Sequence, residues 1–152
     1  MTLLINTLSD LFIRDLKKLI VEIESYEQES TVWLIDKQIK NSAGNLCLHI
    51  IGNLKTYIGN GFANADYERD REFEFAGKDV SRQTLIQETN ETILIIKQGL
   101  ANIDDQNLDI NFPILIWEKE TNLVFTLIHL HSHLNYHLGQ INYHRRLFDV
   151  RG

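Results

Sequence analysis

The chain has 152 residues, of which 43% are hydrophobic and 24% charged, so we treat residues 1–152 as a single globular domain. A formal net charge of −6 argues against a nucleic-acid binder and against a polybasic membrane-surface protein. Pro113 is the one proline, and so few helix breakers favour long helices over many short strands.

Periodic apolar residues predict an all-α fold, a four-helix bundle with helices at 3–26, 43–60, 82–103 and 122–148. Ser42 and Ser81 precede the second and third helices, and each hydroxyl is expected to cap the helix that follows. The residues expected to face the core are Phe12, Leu16, Leu19, Ile50, Leu54, Ile93, Ile96, Leu127, Leu134 and Leu138.

Two of the connections between these helices are long. Residues 62–80 form a charged connection that contains Arg69 and Arg71, which could contact an anionic group or simply be solvated surface residues. Residues 108–117 are apolar and partly alternating, and Pro113 interrupts them, so we expect an extended segment or a short edge strand.

The fourth helix carries a narrow polar face rich in histidine. At 100° per residue, six polar side chains fall within about 40° of His133 or coincide with it. They are Thr126, His129, His133, His137, Gln140 and His144. His131 points away from this face and is expected at the surface.

The second helix supplies a histidine that could face this stripe. His49 lies outside the apolar arc of its helix, with Asn45, Asn53 and Thr56 on the same side. Gly52 leaves space close to the backbone. Cys47 lies about 160° away on the core side, where a buried thiol is usually inert.

Histidines four residues apart on a helix can bind one metal ion, and a third histidine from another helix would leave coordination positions open. Imidazole suits zinc, nickel, copper or iron. Spacing alone leaves both His129/His133 and His133/His137 open as the chelating pair. The ordinary alternative is a solvated polar face, since most histidine pairs of this spacing bind nothing.

Two segments resemble the signature helices of the DinB/YfiT-like metalloenzyme superfamily. They run from Asn45 to Leu54, with His49 at the centre, and from His133 to Ile141, where His-x-x-x-His stands before Gly-Gln. The connection around Arg69 resembles a subgroup with no assigned function. The resemblance extends over about two thirds of the chain.

The resemblance implies a metal site made of His49, His133 and His137, with zinc or nickel as the expected ion. It also implies an up-down-down-up bundle, often a homodimer. His129 would then be a neighbour of the site, and Gln140, Asn45 and Asn53 are further candidates for catalysis.

Members of the superfamily include thiol S-transferases, so the leading hypothesis is a metal-dependent enzyme that joins a low-molecular-weight thiol to a small-molecule substrate. A metal-dependent hydrolase is the alternative. A non-catalytic metal-binding or stress-associated interaction protein is the rival from another class, and it would be expected to have a closed four-ligand site.

The sequence also favours the cytoplasm. Cys47 is the single cysteine, so no internal disulfide can form, as expected in a reducing compartment. The N-terminus lacks the basic and then apolar segments of a signal peptide. No run of about 18 apolar residues would span a bilayer, so we expect no membrane partner.

Overall fold

A computed structural model describes residues 2–36 and 38–149. Within these ranges the protein is all-α, as predicted, with isolated β-bridges but no regular strand. The five helices are α1 (Leu3–Glu24), α2 (Ala43–Leu54), α3 (Arg71–Ala76), α4 (Arg82–Ala101) and α5 (Leu123–Phe148). A short 3-10 helix, Glu29–Trp33, lies between α1 and α2. None of the described helices is long and apolar enough to cross a membrane.

Hydroxyl caps begin two of the long helices where the sequence predicts them. Ser42 Oγ accepts a hydrogen bond from the Asn45 amide at 3.1 Å, and Ser81 Oγ accepts one from Thr84 at the same distance. Each bond satisfies an N–H group of the first turn that has no partner inside the helix. These caps set the starts of α2 and α4, and therefore the positions of the following residues along each helix axis.

The core lies between the four longer helices. Helix α1 packs against α4 and α5, and α2 packs against the same two helices. All ten residues predicted to face the core are buried there. The hydrophobic periodicity of the sequence therefore gives the correct inward face of each long helix.

Helix α2 does not end at Leu54 but widens into a π-helical segment, Lys55–Asn60, which the sequence does not predict. Close packing against α4 accompanies this segment. A methyl group at Gly99 of α4 would lie 2.8 Å from the Ile58 side chain. Wide turns of this kind often lie beside functional sites, and this one follows the face of α2 that carries His49 and Asn53.

Both long connections contain structure beyond the sequence prediction. Residues 62–80 contain α3, whose first turn is capped by Asp70 accepting a hydrogen bond from the Phe73 amide at 3.0 Å. Residues 108–117 form bends and isolated β-bridges rather than the expected extended segment or edge strand, and the Phe112 amide donates to the Thr121 carbonyl at 2.8 Å. Trp117 and Glu118 then form a tight turn in which both residues have positive φ, 55° and 59°.

Candidate metal centre

Three histidines from two helices meet between α2 and α5. The Nε2 atoms of His49 and His137 each lie 3.1 Å from Nε2 of His133. All three side chains could offer a ligand atom, and these atoms lie within 4.8 Å of one another. His49 is buried, and His133 and His137 are half-buried.

The outer nitrogen of His49 is held by a carboxylate that the sequence analysis did not identify. His49 Nδ1–H donates a hydrogen bond to Glu74 Oε1 at 2.9 Å. Glu74 lies on the short helix α3 and is buried. A methyl group at Gly52 would lie 2.6 Å from Cδ of Glu74. Gly52 therefore leaves the space that brings the carboxylate against α2.

Arg69 holds Glu74 from its other side through two parallel hydrogen bonds. Its Nε donates to Glu74 Oε2 at 2.8 Å and its Nη2 donates to Oε1 at 2.9 Å. Burial alone would raise the pKa of Glu74, but the hydrogen bonds from His49 and Arg69 and the charge of Arg69 lower it below the usual range. Glu74 is therefore a fixed, ionised acceptor for His49 Nδ1–H.

The outer nitrogen of His137 also has an acceptor. Nδ1–H of His137 donates to Gln140 Oε1 at 2.8 Å, one turn further along α5. With their Nδ1 atoms protonated, neutral His49 and His137 have lone pairs on their Nε2 atoms. Both lone pairs lie beside His133 Nε2.

The protonation states of the cluster fit a cation better than a hydrogen-bonded chain. A neutral His133 has one N–H group at most and could donate to one of its two neighbours, so one short contact would join two acceptors. Two imidazole nitrogens that bind one zinc ion at about 2.0–2.1 Å lie roughly 2.9–3.4 Å apart in common geometries. The observed 3.1 Å separations lie within that range.

The environment of His133 and His137 favours the neutral form of both side chains. Burial lowers the pKa of His133 to about 4, with further lowering by the neighbouring histidines and Arg69. Burial also lowers the pKa of His137, although its hydrogen bond with Gln140 raises it in part. Only neutral imidazole ligates metal, and burial disfavours protonation of these two histidines.

A cavity of about 470 Å³ opens beside His49 and His133. It is lined by Asn53 and Tyr57 from the second helix and its π-helical extension, by Arg69 and Arg71, and by the turn around Trp117. His129 lines it too, with its ring 4.7 Å from the Trp117 ring and 6.3 Å from that of His133. The histidine cluster therefore faces a space large enough for a small molecule.

The remaining candidates from the sequence separate into two groups. Asn53 and Arg71 line the cavity, as His129 does. Asn45 does not: its Nδ2 donates to the carbonyls of Glu74 and Gly77 at 3.0 and 2.7 Å, which anchors the end of α3. Asn45 thus supports the site indirectly, by fixing the helix that carries Glu74.

Two other histidines of α5 have structural partners away from the cluster. His131 was expected at the surface, but it is half-buried and its Nε2 lies 2.7 Å from Oδ2 of the buried Asp15. His144 is buried, with Nδ1 2.7 Å from the Tyr26 hydroxyl and Nε2 2.8 Å from the Leu34 carbonyl. The histidine stripe therefore contributes only His133 and His137 to the cluster.

Cys47 is not part of the cluster. Its thiol is fully buried on the core side of α2, 3.9 Å from the Thr89 hydroxyl. Burial raises its pKa to about 12. A thiol in this environment stays protonated and is a poor nucleophile, which agrees with its predicted position facing the core.

A family model described as "Protein of unknown function (DUF1572)" matches residues 3–150. No curated protein and no solved structure matches the chain. The family match covers both helices of the histidine cluster and α3, which carries Glu74.

Proposed function

We propose that this chain, which belongs to the DUF1572 family, is a metal-dependent enzyme that holds one divalent transition-metal ion through His49, His133 and His137. The observation that carries the proposal is the fixed orientation of two imidazoles. Glu74 and Gln140 accept the Nδ1–H groups of His49 and His137, which leaves both Nε2 lone pairs beside His133. Zinc and nickel suit such an all-imidazole set.

The fold proposed for this enzyme is an up-down-down-up bundle of the DinB/YfiT type. Contacts between helices support the relative helix directions that this topology requires. Asp15 meets His131 and Glu22 meets Arg145, as expected for parallel α1 and α5. Helices α2 and α5 run antiparallel. His49 of α2 meets His133 of α5. Leu46, which comes earlier in α2, shares a groove with His144, which comes later in α5.

The favoured activity is thiol S-transfer, with metal-dependent hydrolysis as the alternative. A bound ion would supply a Lewis acid that holds a thiol as thiolate or makes water more acidic. The chain's own residues hold and orient its ligands: Glu74 fixes His49, Gln140 fixes His137, and Arg69 fixes Glu74.

An open site supports the enzyme over a non-catalytic metal-binding or stress-associated protein. Within residues 2–36 and 38–149, the histidine triad is the one group of three or more histidine, cysteine or acidic side chains close enough to share an ion, and it includes no fourth residue. The cavity lies directly beside two of the three histidines. Three protein ligands and an adjoining space are typical of catalytic zinc sites.

Cobalt-substituted protein offers a test of this proposal. Adding a thiol such as L-cysteine or 2-mercaptoethanol should produce sulfur-to-metal charge-transfer absorption, and His137→Ala should abolish it. The His131→Ala variant is the matched control on the same helix and should keep the band. Hydrolysis of an ester or amide substrate without any thiol band would favour the hydrolase. The absence of both the thiol band and hydrolysis would favour the non-catalytic protein.

The homodimer and the cytoplasmic location stay predictions. Sedimentation of the purified protein would measure the first, and localisation of a tagged chain would measure the second.

A further inference from the structure

The cavity beside the histidine cluster presents opposite charges on two of its walls. Arg71, at the start of α3, lines one side, and Glu118, in the tight turn after residues 108–117, lines another. Among the described residues neither side chain has an ion-pair partner, whereas Arg69 is paired with Glu74. An unpaired cation and an unpaired anion therefore border one space of about 470 Å³.

Asn53 adds a polar atom that lacks a partner. Its side chain lines the cavity and is 8% exposed, and its Oδ1 is buried with no hydrogen bond in the described protein. Asn53 follows His49 by one turn on the same face of α2, so its side chain lies on the side of α2 that carries the cluster. A buried carbonyl without a donor destabilises the folded protein, and a ligand donor would remove that cost.

The turn that carries Glu118 holds an unusual backbone conformation. Trp117 and Glu118 both have positive φ, where glycine or asparagine normally stands. Such conformations are strained for residues other than glycine and cluster at ligand sites. Here the conformation directs two large side chains to the cavity, and Trp117 packs against His129.

From these features we infer that the site takes a small zwitterionic substrate, one that carries an ammonium or N–H donor near a carboxylate or similar anion. The N–H donor faces Asn53 Oδ1 and Glu118, and the anionic group faces Arg71. Asn53 is thus a specificity-determining residue. This inference rests on the proposed function, because the substrate's reacting group must lie at the histidine cluster.

The test uses three thiols that share the same metal-binding sulfur, added to the zinc-loaded protein. L-cysteine carries both charged groups, 3-mercaptopropionate lacks the amine, and cysteamine lacks the carboxylate. Isothermal titration calorimetry measures each dissociation constant. We expect L-cysteine to bind at least about tenfold more tightly than either analogue, as a hydrogen bond to a charged group would give.

Variants separate the contribution of each wall. Asn53→Leu should remove the preference for L-cysteine over 3-mercaptopropionate while keeping or raising the melting temperature, because it removes a buried oxygen that has no partner. A preference caused only by chelation of zinc through the amine of L-cysteine would survive this substitution. Asn53→Asp, which keeps an acceptor, should restore the preference. Arg71→Gln should remove the preference over cysteamine.

Exposed residues of the same types are the controls, Asn90→Leu on α4 and Arg146→Gln on α5, and both should keep the wild-type pattern. Equal affinities for the three thiols, no binding of any, or a preference that survives Asn53→Leu and Arg71→Gln would overturn the inference. Failure of the proposed function looks different, because the protein would then not retain zinc before any thiol is added.

Discussion

Two of the polar sites on helix α5 that contain histidines differ in how their ring nitrogens are paired. On one side, His133 and His137 meet His49, and His133 Nε2 lies 3.1 Å from Nε2 of each of the other two histidines. On the other side, His131 lies 2.7 Å from the buried carboxylate of Asp15, to which Asn135 also donates a hydrogen bond at 2.9 Å.

The comparison shows that partners, rather than burial, distinguish a structural histidine from a candidate ligand. The carboxylate of Asp15 supplies an acceptor for a protonated nitrogen of His131, so the network is complete within the protein. In the cluster the acceptors, Glu74 and Gln140, bind the outer nitrogens, so the inner nitrogens lack enough protons to pair with one another. A bound cation would complete that arrangement.

The largest expected difference between the two sites is in metal content. His49→Ala, His133→Ala and His137→Ala should each reduce bound zinc from near one ion per chain to near none, because each removes a ligand. His131→Ala should keep the metal. Elemental analysis of protein purified without a nickel column measures this. If His131→Ala emptied the site as fully as His137→Ala, the distinction between the two sites would be wrong.

The Asp15 network should instead control folding stability. Asp15 is fully buried and holds His131, Asn135 and the Arg14 guanidinium. Asp15→Ala should lower the free energy of unfolding by about 1–3 kcal/mol, because it leaves the donors of His131 and Asn135 without their acceptor, and it should leave zinc affinity unchanged. Urea denaturation measures the first quantity. Asp10→Ala, at an exposed position of α1, should change stability by less than about 0.5 kcal/mol.

Glu74 should affect metal affinity without being a ligand. Glu74→Gln keeps the shape of the side chain but removes the charge that holds His49 and Arg69, so zinc affinity should fall about 10–100-fold. Competition with a chromophoric chelator measures this. The control is Glu72→Gln on the exposed side of the same helix α3. Equal affinities in these two variants would mean that Glu74 does not orient His49.

The Asp15 network should also give the protein an acid-sensitive stability. Burial alone would raise the pKa of Asp15, but hydrogen bonds from Arg14, Asn135 and His131 lower it to about 2. The pKa of Asp15 therefore lies below its ordinary value of 3.8. The stabilisation is complete above about pH 4 and is lost as the pH falls towards 2. Asp15→Asn should flatten that part of the stability profile relative to Asp10→Asn, and parallel profiles would contradict the assignment.

The sequence predicts the helices and their inward faces well because both depend on local periodicity. Leu54 and Leu134 face the core as their spacing indicates. Histidine spacing alone left the chelating pair open, and only the family resemblance pointed to His137. The surface position expected for His131 was wrong, because a helical wheel does not show that α1 places Asp15 against it.

Glu74 was missed for a similar reason. It follows His49 by 25 residues, and the two meet only because Gly52 lets α3 approach α2. The signals that pointed towards this contact were the space expected at Gly52 and the charged residues after Arg69. The π-helical turn Lys55–Asn60 was not predicted from the hydrophobic periodicity, which continues through it. The positive φ angles at Trp117 and Glu118 have no local sequence signal, since neither residue is a glycine or an asparagine.

The most direct test of the central claim is zinc K-edge X-ray absorption on zinc-loaded protein. We expect three imidazole nitrogens at about 2.0–2.1 Å and one oxygen from solvent, with one imidazole lost in His137→Ala. Addition of L-cysteine should replace that solvent oxygen with one sulfur at about 2.3 Å if thiol transfer is the activity. A spectrum with fewer than three imidazoles, or with a fourth protein ligand that closes the site, would contradict the account.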